Sequence, residues 1–296
     1  MNKQDFFQQI TNKIITKISS GEVGSWEKMW NGSLPKNGTT DKEYTGINSL
    51  WLSLQGFDDP RFATFNQIRK AGGTVLKGSK GTKIFFYKPV FKKNIETGKD
   101  EFAYCCPKFF TVFNYEQTKG LPALETNKDQ TDISNLIELL FGYCANQNIN
   151  LVCNARNASY SPKWDRIMIP SLQSFKTNCA YLSTLAHEVA HSTGAKNRLD
   201  RPGVTNFDHF GSHQYSKEEL IAELTSVFYL KSNNINETFD NNIAYMKGWL
   251  RPLKDDPSMI FEAMKEAKKA FSYIKENEQT LFEDGFINKE EIKIGA

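Results

Sequence analysis

Two histidines stand four residues apart at His187 and His191, and Glu188 directly follows the first, in the stretch LAHEVAHSTG. On an α-helix, residues four apart are separated by about 40° around the axis, so both imidazoles can reach one metal ion. Glu188 is displaced by about 100° and can lie beside that ion as a base for a bound water. This HExxH pattern predicts a metallohydrolase site with Zn²⁺ as its cofactor.

A catalytic zinc ion keeps three protein ligands, so the third ligand must come from elsewhere in the chain. The segment SKEELIAELTSVF carries Glu219 and Glu223 four residues apart, among apolar positions of a predicted helix. A carboxylate on the buried side of a helix needs a partner to offset its desolvation, and a metal ion supplies one. We predict Glu219 as the third ligand and Glu223 as a group that orients a histidine, with the reverse assignment open.

The elements that must position these residues follow from the pattern downstream of residue 132. Periodicity predicts helices over Ile133–Asn146, Asn178–Thr193, Lys217–Lys231, Asn241–Leu250 and Pro257–Asn277, and strands over Asn150–Cys153 and Asp165–Ile169. Ser216 is the predicted N-cap of the glutamate-bearing helix, with Glu219 at its third position. A small sheet, an HExxH helix and then a helix with a glutamate is the order expected of a small, mostly helical zincin.

The first half of the chain is predicted to be α+β. Apolar residues at i, i+4 spacing predict an amphipathic helix that ends at Gly21, and shorter helices are expected at Trp51–Leu54 and Thr64–Ala71. GTVLKGSKGTKIFFYKPVFKK predicts a hairpin that turns at Gly78–Gly81, and Lys108–Tyr115 a further strand. The polar segment 124–132 is predicted to link two domains, 1–123 and 133–296.

Charge is distributed unevenly along the chain. Residues 1–123 carry 18 Lys/Arg and 11 Asp/Glu, a net of +7, and residues 124–296 carry 19 and 23, a net of −4. From Pro60 to Ile95 there are nine Lys/Arg and no acid. Such a stretch favours a polyanion, and its interleaved aromatic residues suit single-stranded nucleic acid, whose bases stack on rings. The candidates are Arg61, Lys77, Lys80 and Lys83 for phosphates, and Trp30, Tyr44 and Phe62 for stacking.

Two classes of protein are disfavoured. No apolar run is long enough to cross a membrane, and the N-terminal residues lack the apolar core of a signal peptide. The five cysteines are odd in number and form no CxxC pair, so neither a disulfide framework nor a cysteine zinc cluster is expected. This usage fits a reducing cytoplasm.

The sequence resembles the ArdC-type antirestriction proteins over nearly its whole length. In the first half the similar blocks are PKNGTTDKEYTGIN, PRFATFNQIRKAGGTVLKGSKGTKIFFYK and FTVFNYEQTKGLP. In the second half they are AYLSTLAHEVAHSTGAKNRLDR, YSKEELIAEL and IAYMKGWLRPLKDDPSMIFEAMKEAKKAFSYI. The resemblance implies an N-terminal domain that binds single-stranded DNA and a C-terminal zincin-like metallopeptidase domain.

The resemblance also implies residue roles. His187, Glu188 and His191 match the family's HExxH, and Glu219 and Glu223 match its EExxAE. The GINxL element adds Asn48 to the DNA-binding candidates, and PRFxTF and KGxKG contain several of the others. The implied protein is carried by a plasmid or other mobile element, acts during conjugation, and counters restriction of incoming single-stranded DNA. Two alternatives stay open: a DNA-coating protein whose zinc is structural or vestigial, and a host-directed zinc protease localised by DNA.

Overall fold

The computed structural model describes residues 3–19, 34–93, 98, 100–124, 132–206, 212–235 and 253–278. The chain divides into two compact units. The first unit comprises Met1–Ile10 and Lys28–Asn127, and the second comprises Thr11–Glu27 and Lys128–Ala296. The break between Asn127 and Lys128 falls inside the predicted linker, whose residues 125–131 lie outside the described part. The first break divides helix α1, Lys3–Ser19, between the two units.

The first unit is built on a mixed sheet. Its strands are β1 (Lys36–Asn37), β2 (Arg61–Thr64), β3 (Thr74–Val75), β4 (Thr82–Lys93), β5 (Asp100–Asn114) and β6 (Thr118–Lys119). The four-stranded sheet has the order β1-β2-β5-β4, and β3 pairs with β6 separately. Helices α2 (Ile47–Ser53) and α3 (Phe65–Lys70) accompany these strands. The Thr64 hydroxyl and the Gln67 side chain form a capping box that starts α3.

The predicted hairpin within residues 73–93 is wrong. The residues on the two sides of Gly78–Gly81 form β3 and β4, which belong to different sheets, and β4 pairs instead with β5. Alternation of apolar residues identifies a strand but not its partner, because every strand in the unit shares the same period of two. The predicted strand Lys108–Tyr115 is the second half of β5, with Tyr115 in the 3₁₀ turn that follows.

Two small cores cover the two faces of the sheet. Tyr44, Leu52, Phe62, Ile84 and Val112 form one core, and Ala63, Ile68 and Tyr115 form the other. Since side chains alternate between the faces along a strand, Phe62 and the adjacent Ala63 fall into different cores. Both cores pack against residues of the long β4–β5 pair or its neighbour β2. The β4–β5 pair runs from Thr82 opposite Val112 to Lys93 opposite Asp100.

The second unit packs helices around a small sheet. Its helices are α4 (Ile133–Asn146), α5 (Asn178–Ser192), α6 (Pro202–Thr205), α7 (His213–Ser232) and α8 (Met259–Asn277). Its strands are β7 (Asn150–Cys153), β8 (Ser159–Ser161) and β9 (Arg166–Ile169), in the order β7-β9-β8. Strand β9 is parallel to β7 and antiparallel to β8. Strand β8 was not predicted, and the predicted helix Asn241–Leu250 lies outside the described residues.

Helix α7 is the centre of the second unit. Every residue from Leu220 to Lys231 is buried, and the helix packs against α5 and α8. The predicted start of this helix is wrong by one turn: it begins at His213, after Ser212, whose hydroxyl accepts a hydrogen bond from the Tyr215 N–H. Glu219 therefore lies in the second turn, inside the helix. Of the helices in the described ranges, none combines the length and apolarity needed to cross a membrane.

Candidate functional site

Helix α5 holds the two histidines on the side of the helix that faces α7. Its apolar residues Leu182, Leu185 and Val189 are fully buried in the core of the second unit, which fixes the rotation of the helix. The rings of His187 and His191 meet edge to face, with their centroids 4.8 Å apart. Their Nε2 atoms lie 3.2 Å from each other. The spacing of the HExxH pattern thus brings both imidazoles to one point.

Glu219 of α7 completes this cluster. One of its carboxylate oxygens lies 3.6 Å from Nε2 of His187, and the other lies 3.6 Å from Nε2 of His191. These three side chains form the one group in the described residues whose potential ligand atoms all lie within 4.8 Å of one another. The other glutamate considered as a ligand, Glu223, faces Nδ1 of His187 at 3.4 Å, on the far side of the ring. The geometry therefore favours Glu219 over Glu223 as the third donor.

Each imidazole has a carboxylate behind it. Nδ1 of His187 faces Glu223, and Nδ1 of His191 lies 3.2 Å from Oε1 of Glu218. A neutral imidazole that donates from Nδ1 carries its lone pair on Nε2, so both lone pairs point into the space shared with Glu219. Lone pairs and a carboxylate that converge in this way repel one another unless a cation lies between them. The two outer carboxylates thus fix the tautomers that a metal ion requires.

The donor separations also fit a divalent metal ion. Two ligand atoms about 2.0–2.1 Å from a tetrahedral zinc ion are roughly 3.3 Å apart. The observed separations are 3.2 Å between the two Nε2 atoms and 3.6 Å from each to Glu219. Two imidazoles and one carboxylate form the donor set of catalytic zinc sites and leave a coordination position for water. Geometry alone does not select zinc over other divalent ions with a similar preference for nitrogen and oxygen.

The closeness of the donors shifts the pKa values of His187 and Glu219. Burial alone lowers the pKa of His187, but hydrogen bonds to Glu219 and Glu223 outweigh it and raise that pKa well above its ordinary value. Burial raises the pKa of Glu219, yet the hydrogen bond to His187 and the charges of both histidines lower it to about 2. In the absence of metal, a proton on His187 thus supplies positive charge that the Glu219 carboxylate needs.

Glu188 lies beside this cluster and is buried. It accepts a hydrogen bond from the backbone of Tyr160 in the edge strand β8. Burial raises the pKa of the Glu188 carboxyl, which makes its ionised form a stronger base than an exposed carboxylate. Glu188 does not belong to the group of converging ligand atoms, and its role as a base stays a prediction.

Glu218 and Arg201 belong to the site and were missed by the sequence analysis. Arg201 is buried and donates from Nε and Nη2 to the two carboxylate oxygens of Glu218, at 2.9 and 2.6 Å. Its Nη1 donates to the Thr193 hydroxyl at 2.6 Å, and Nη2 also donates to the Ala190 carbonyl at 2.8 Å. Arg201 therefore ties the end of the HExxH helix to the carboxylate behind His191, and it holds the pKa of Glu218 below its ordinary value despite burial.

Two glycines make room for this ion pair. A Cβ at Gly194 would lie 2.5 Å from the Val204 side chain and 2.9 Å from Nη2 of Arg201. A Cβ at Gly203 would lie 2.7 Å from the Cβ of Glu218. Gly194 directly follows the predicted helix Asn178–Thr193. The adjacent glutamates in SKEEL and the RLDRPG segment were the sequence signals for this arrangement, but pairing them requires knowledge of the fold.

The DNA-contact residues predicted from the first half fall into two groups: lysines that are exposed, and residues whose side chains are engaged within the protein. Lys77, Lys80 and Lys83 are exposed, around a turn in which the Ser79 N–H donates to the Leu76 carbonyl. Trp30 lies outside the described residues. The structure thus leaves the three lysines in solvent, where phosphates could reach them.

The predicted stacking role of Tyr44 and Phe62 needs correction. Phe62 is 2% exposed and Tyr44 6%, both within one core of the first unit. Rings enclosed on both faces cannot receive a base. Phe62 is buried because it belongs to the central strand β2, and the Tyr44 hydroxyl donates to its backbone carbonyl. Both aromatic residues therefore serve the fold.

Asn48 and Arg61 are likewise engaged within the protein. The Asn48 side chain donates to the Phe85 carbonyl at 2.7 Å and accepts from the Phe85 N–H at 3.1 Å. It thereby satisfies the backbone of β4, an edge strand of the sheet. Arg61 forms a bidentate ion pair with Asp59 and lies over the Tyr115 ring at 4.6 Å. These contacts give both residues a structural role within the first unit.

Comparisons with known proteins identify both halves of the chain. Residues 4–120 match the N-terminal domain of anti-restriction factor ArdC, and residues 141–266 match a zincin-like metallopeptidase domain. The crystal structure of the antirestriction ArdC protein from plasmid R388 superimposes with a TM-score of 0.72 at 33% identity, covering 92% of this chain and 97% of that chain. An Mn(II)-bound structure of the same ArdC protein gives a TM-score of 0.72 at 32% identity.

Curated relatives extend the comparison. Two DNA primase TraC proteins of Escherichia coli are 33% and 34% identical over 94% of this chain. The chain spans 20% and 28% of the length of those primases. The uncharacterised protein y4eC of Sinorhizobium fredii is 28% identical over 89% of both chains. The fold and the converging metal donors define a protein with a zincin-like domain. The chain belongs to the ArdC antirestriction family.

Proposed function

We propose that this protein is a plasmid-borne antirestriction factor that binds single-stranded DNA through its first unit and hydrolyses peptide bonds at a metal centre in its second. The observation that carries the catalytic part is the convergence of His187, His191 and Glu219 beside the buried Glu188. Membership of the ArdC family supports the antirestriction role and a role in conjugation. The exposed lysines of the acid-free stretch support binding to a polyanion.

His187, His191 and Glu219 would hold the metal ion, which we propose to be zinc. A divalent ion in this setting polarises a carbonyl and lowers the pKa of a water molecule. Glu188 takes the proton of the attacking water and delivers it to the leaving nitrogen of the peptide bond. Its raised pKa suits both steps, because a carboxyl group that is too acidic would not accept the proton. Glu223 and Glu218 keep the imidazoles oriented throughout.

DNA binding and proteolysis can be separated by one substitution. Glu188→Gln retains the size and burial of the side chain but removes the base. The purified variant should keep its metal and its affinity for single-stranded DNA, and lose hydrolysis of a casein or peptide-library substrate. Glu276→Gln, which changes an exposed glutamate of α8, is the matched control.

Protection of transferred DNA in restricting cells then distinguishes the alternatives. Protection by Glu188→Gln equal to that of the wild type would indicate that the protein works by coating DNA. Loss of protection with metal and DNA binding intact would indicate that proteolysis is the mechanism. Absence of hydrolysis by the metal-loaded wild type on every tested substrate, together with full protection by the variant, would contradict the peptidase part of the proposal.

A further inference from the structure

The first unit exposes phenylalanines beside a groove. Phe65 is 46% exposed, Phe86 44% and Phe110 42%, although large apolar side chains favour burial. They lie on three different elements, α3, β4 and β5. Contiguous exposed aromatic surface on a folded domain usually marks a place where a partner binds. The three rings line one groove of about 870 Å³.

The groove has an aromatic wall above a closed apolar floor. The rings of Phe86 and Phe110 meet edge to face with centroids 5.8 Å apart, and Phe86 lies 6.5 Å from the ring of Tyr44 in the floor. Ile84 and Val112, both buried, complete the floor between them. Because Phe86 and Phe110 rest on a two-stranded ladder whose register is fixed by the core, their exposed faces are held in place.

The polar lining of the groove suits the edges and the backbone of a nucleic acid strand. Asn66 and Gln67 contribute amides at the start of α3, and Lys108, opposite Phe86 in the strand register, contributes a cation. Among the described residues that line the groove there is no carboxylate. An amide can pair with a base edge, and an ammonium group can neutralise a phosphate.

We propose that this aromatic groove holds unpaired bases of single-stranded DNA, which stack on Phe86 and Phe110 while Lys108 contacts the backbone. The proposal rests on the proposed DNA-binding function of the first unit and gives it a location. Duplex DNA is disfavoured, because its bases are already stacked inside the helix and present no free face to the rings. Every base has such a face, so the groove tolerates different sequences.

The test uses the full-length protein and two fluorescently labelled strands of equal length, oligothymidine and an abasic strand that keeps only sugars and phosphates. Phe86→Ala and Phe110→Ala should each weaken oligothymidine binding by about 5- to 140-fold, the range for loss of one stacked base. Binding of the abasic strand should not change. Phe102→Ala, which alters an exposed phenylalanine of the same strand β5 outside the groove, is the matched control and should bind as the wild type does.

Phe86→Trp separates stacking from folding, because it keeps an aromatic face at a half-exposed position. It should bind oligothymidine at least as tightly as the wild type. The groove is the wrong location if the wild type binds oligothymidine well and both alanine variants match it, and in that case DNA binding by the first unit still stands. A wild type that ignores single strands at low salt refutes both proposals. Alanine variants that change the oligomeric mass in light scattering and leave DNA affinity intact would make the groove a protein interface and overturn the proposal.

Discussion

Removal of the Arg201 guanidinium should weaken both the fold of the second unit and its proposed metal site. Arg201→Met keeps most of the aliphatic volume but deletes four hydrogen bonds, two of them to the buried Glu218 carboxylate. Breaking a buried ion pair by removing one partner typically costs about 3–5 kcal/mol, since the remaining charge stays buried without compensation. A comparable loss is expected here, because Arg201 and Glu218 are 3% and 4% exposed.

Hydrogen exchange of the α5 and α7 amides measures this loss within the second unit. A decrease of about 3–5 kcal/mol speeds exchange by roughly 10²- to 10⁴-fold for amides protected by cooperative unfolding of that unit. Lys269→Met is the control, because it removes an exposed ion pair with Glu266 that is worth less than about 1 kcal/mol.

Metal affinity gives a second and independent readout. Glu218 orients His191, and loss of such an outer partner typically weakens metal binding by about 10- to 100-fold. The double variant Arg201→Met, Glu218→Leu should recover much of the lost stability, because neither charge remains unpaired, yet its metal affinity should stay low. If Arg201→Met exchanges and binds metal as the wild type does, the role that we assign to this ion pair is refuted.

Three further predictions concern other parts of the molecule. Reversal of charge at Lys77, Lys80 and Lys83 should lower the affinity for single-stranded DNA and flatten its salt dependence. Anisotropy titrations at several salt concentrations measure both effects. An unchanged slope would mean that these lysines contact no phosphate. Glu188→Ala should reduce peptide hydrolysis by at least about 10²- to 10⁴-fold in a steady-state assay, while metal content and DNA affinity persist. We expect this variant still to protect transferred DNA in a conjugation assay. Loss of metal would contradict the position of Glu188 outside the donor set. Asn48→Ala should expose the β4 edge and lower the stability of the first unit by about 1–3 kcal/mol for each of the two Phe85 backbone groups left unpaired. The loss should appear as faster hydrogen exchange of the β4 amides. Unchanged exchange of these amides would show that the Asn48 side chain is dispensable.

More of the candidate metal site than of the DNA-contact surface could be predicted from the sequence. The HExxH spacing is a local property of one helix, so it predicted correctly that His187 and His191 meet. The choice between Glu219 and Glu223 depends on how α7 rotates against α5, and this rotation follows from a core that spans the whole second unit. The Arg201–Glu218 pair joins residues 17 positions apart, and no periodicity signals such a contact.

The errors in the first unit have a related cause. The sequence analysis did not predict strand β2, so it could not show that Phe62 lies on a face of the sheet that Leu52 and Tyr44 cover. Phe86 and Phe110 follow the same alternating pattern as the buried residues, yet both are exposed. The pattern alone could therefore not identify them as surface residues. Burial of an aromatic residue depends on which elements cover its strand, and local sequence does not carry this information.

The metal content of the purified protein tests the central claim most directly. After removal of loosely bound ions, mass spectrometry of the eluted metals should find about one zinc per wild-type chain, because His187, His191 and Glu219 provide three converging donors. The double variant His187→Ala, His191→Ala and the single variant Glu219→Ala should lose most of that metal. His213→Ala, which removes an exposed histidine of the same helix α7, should retain it. Full metal retention by the double histidine variant would contradict the account, because the metal would then be held elsewhere.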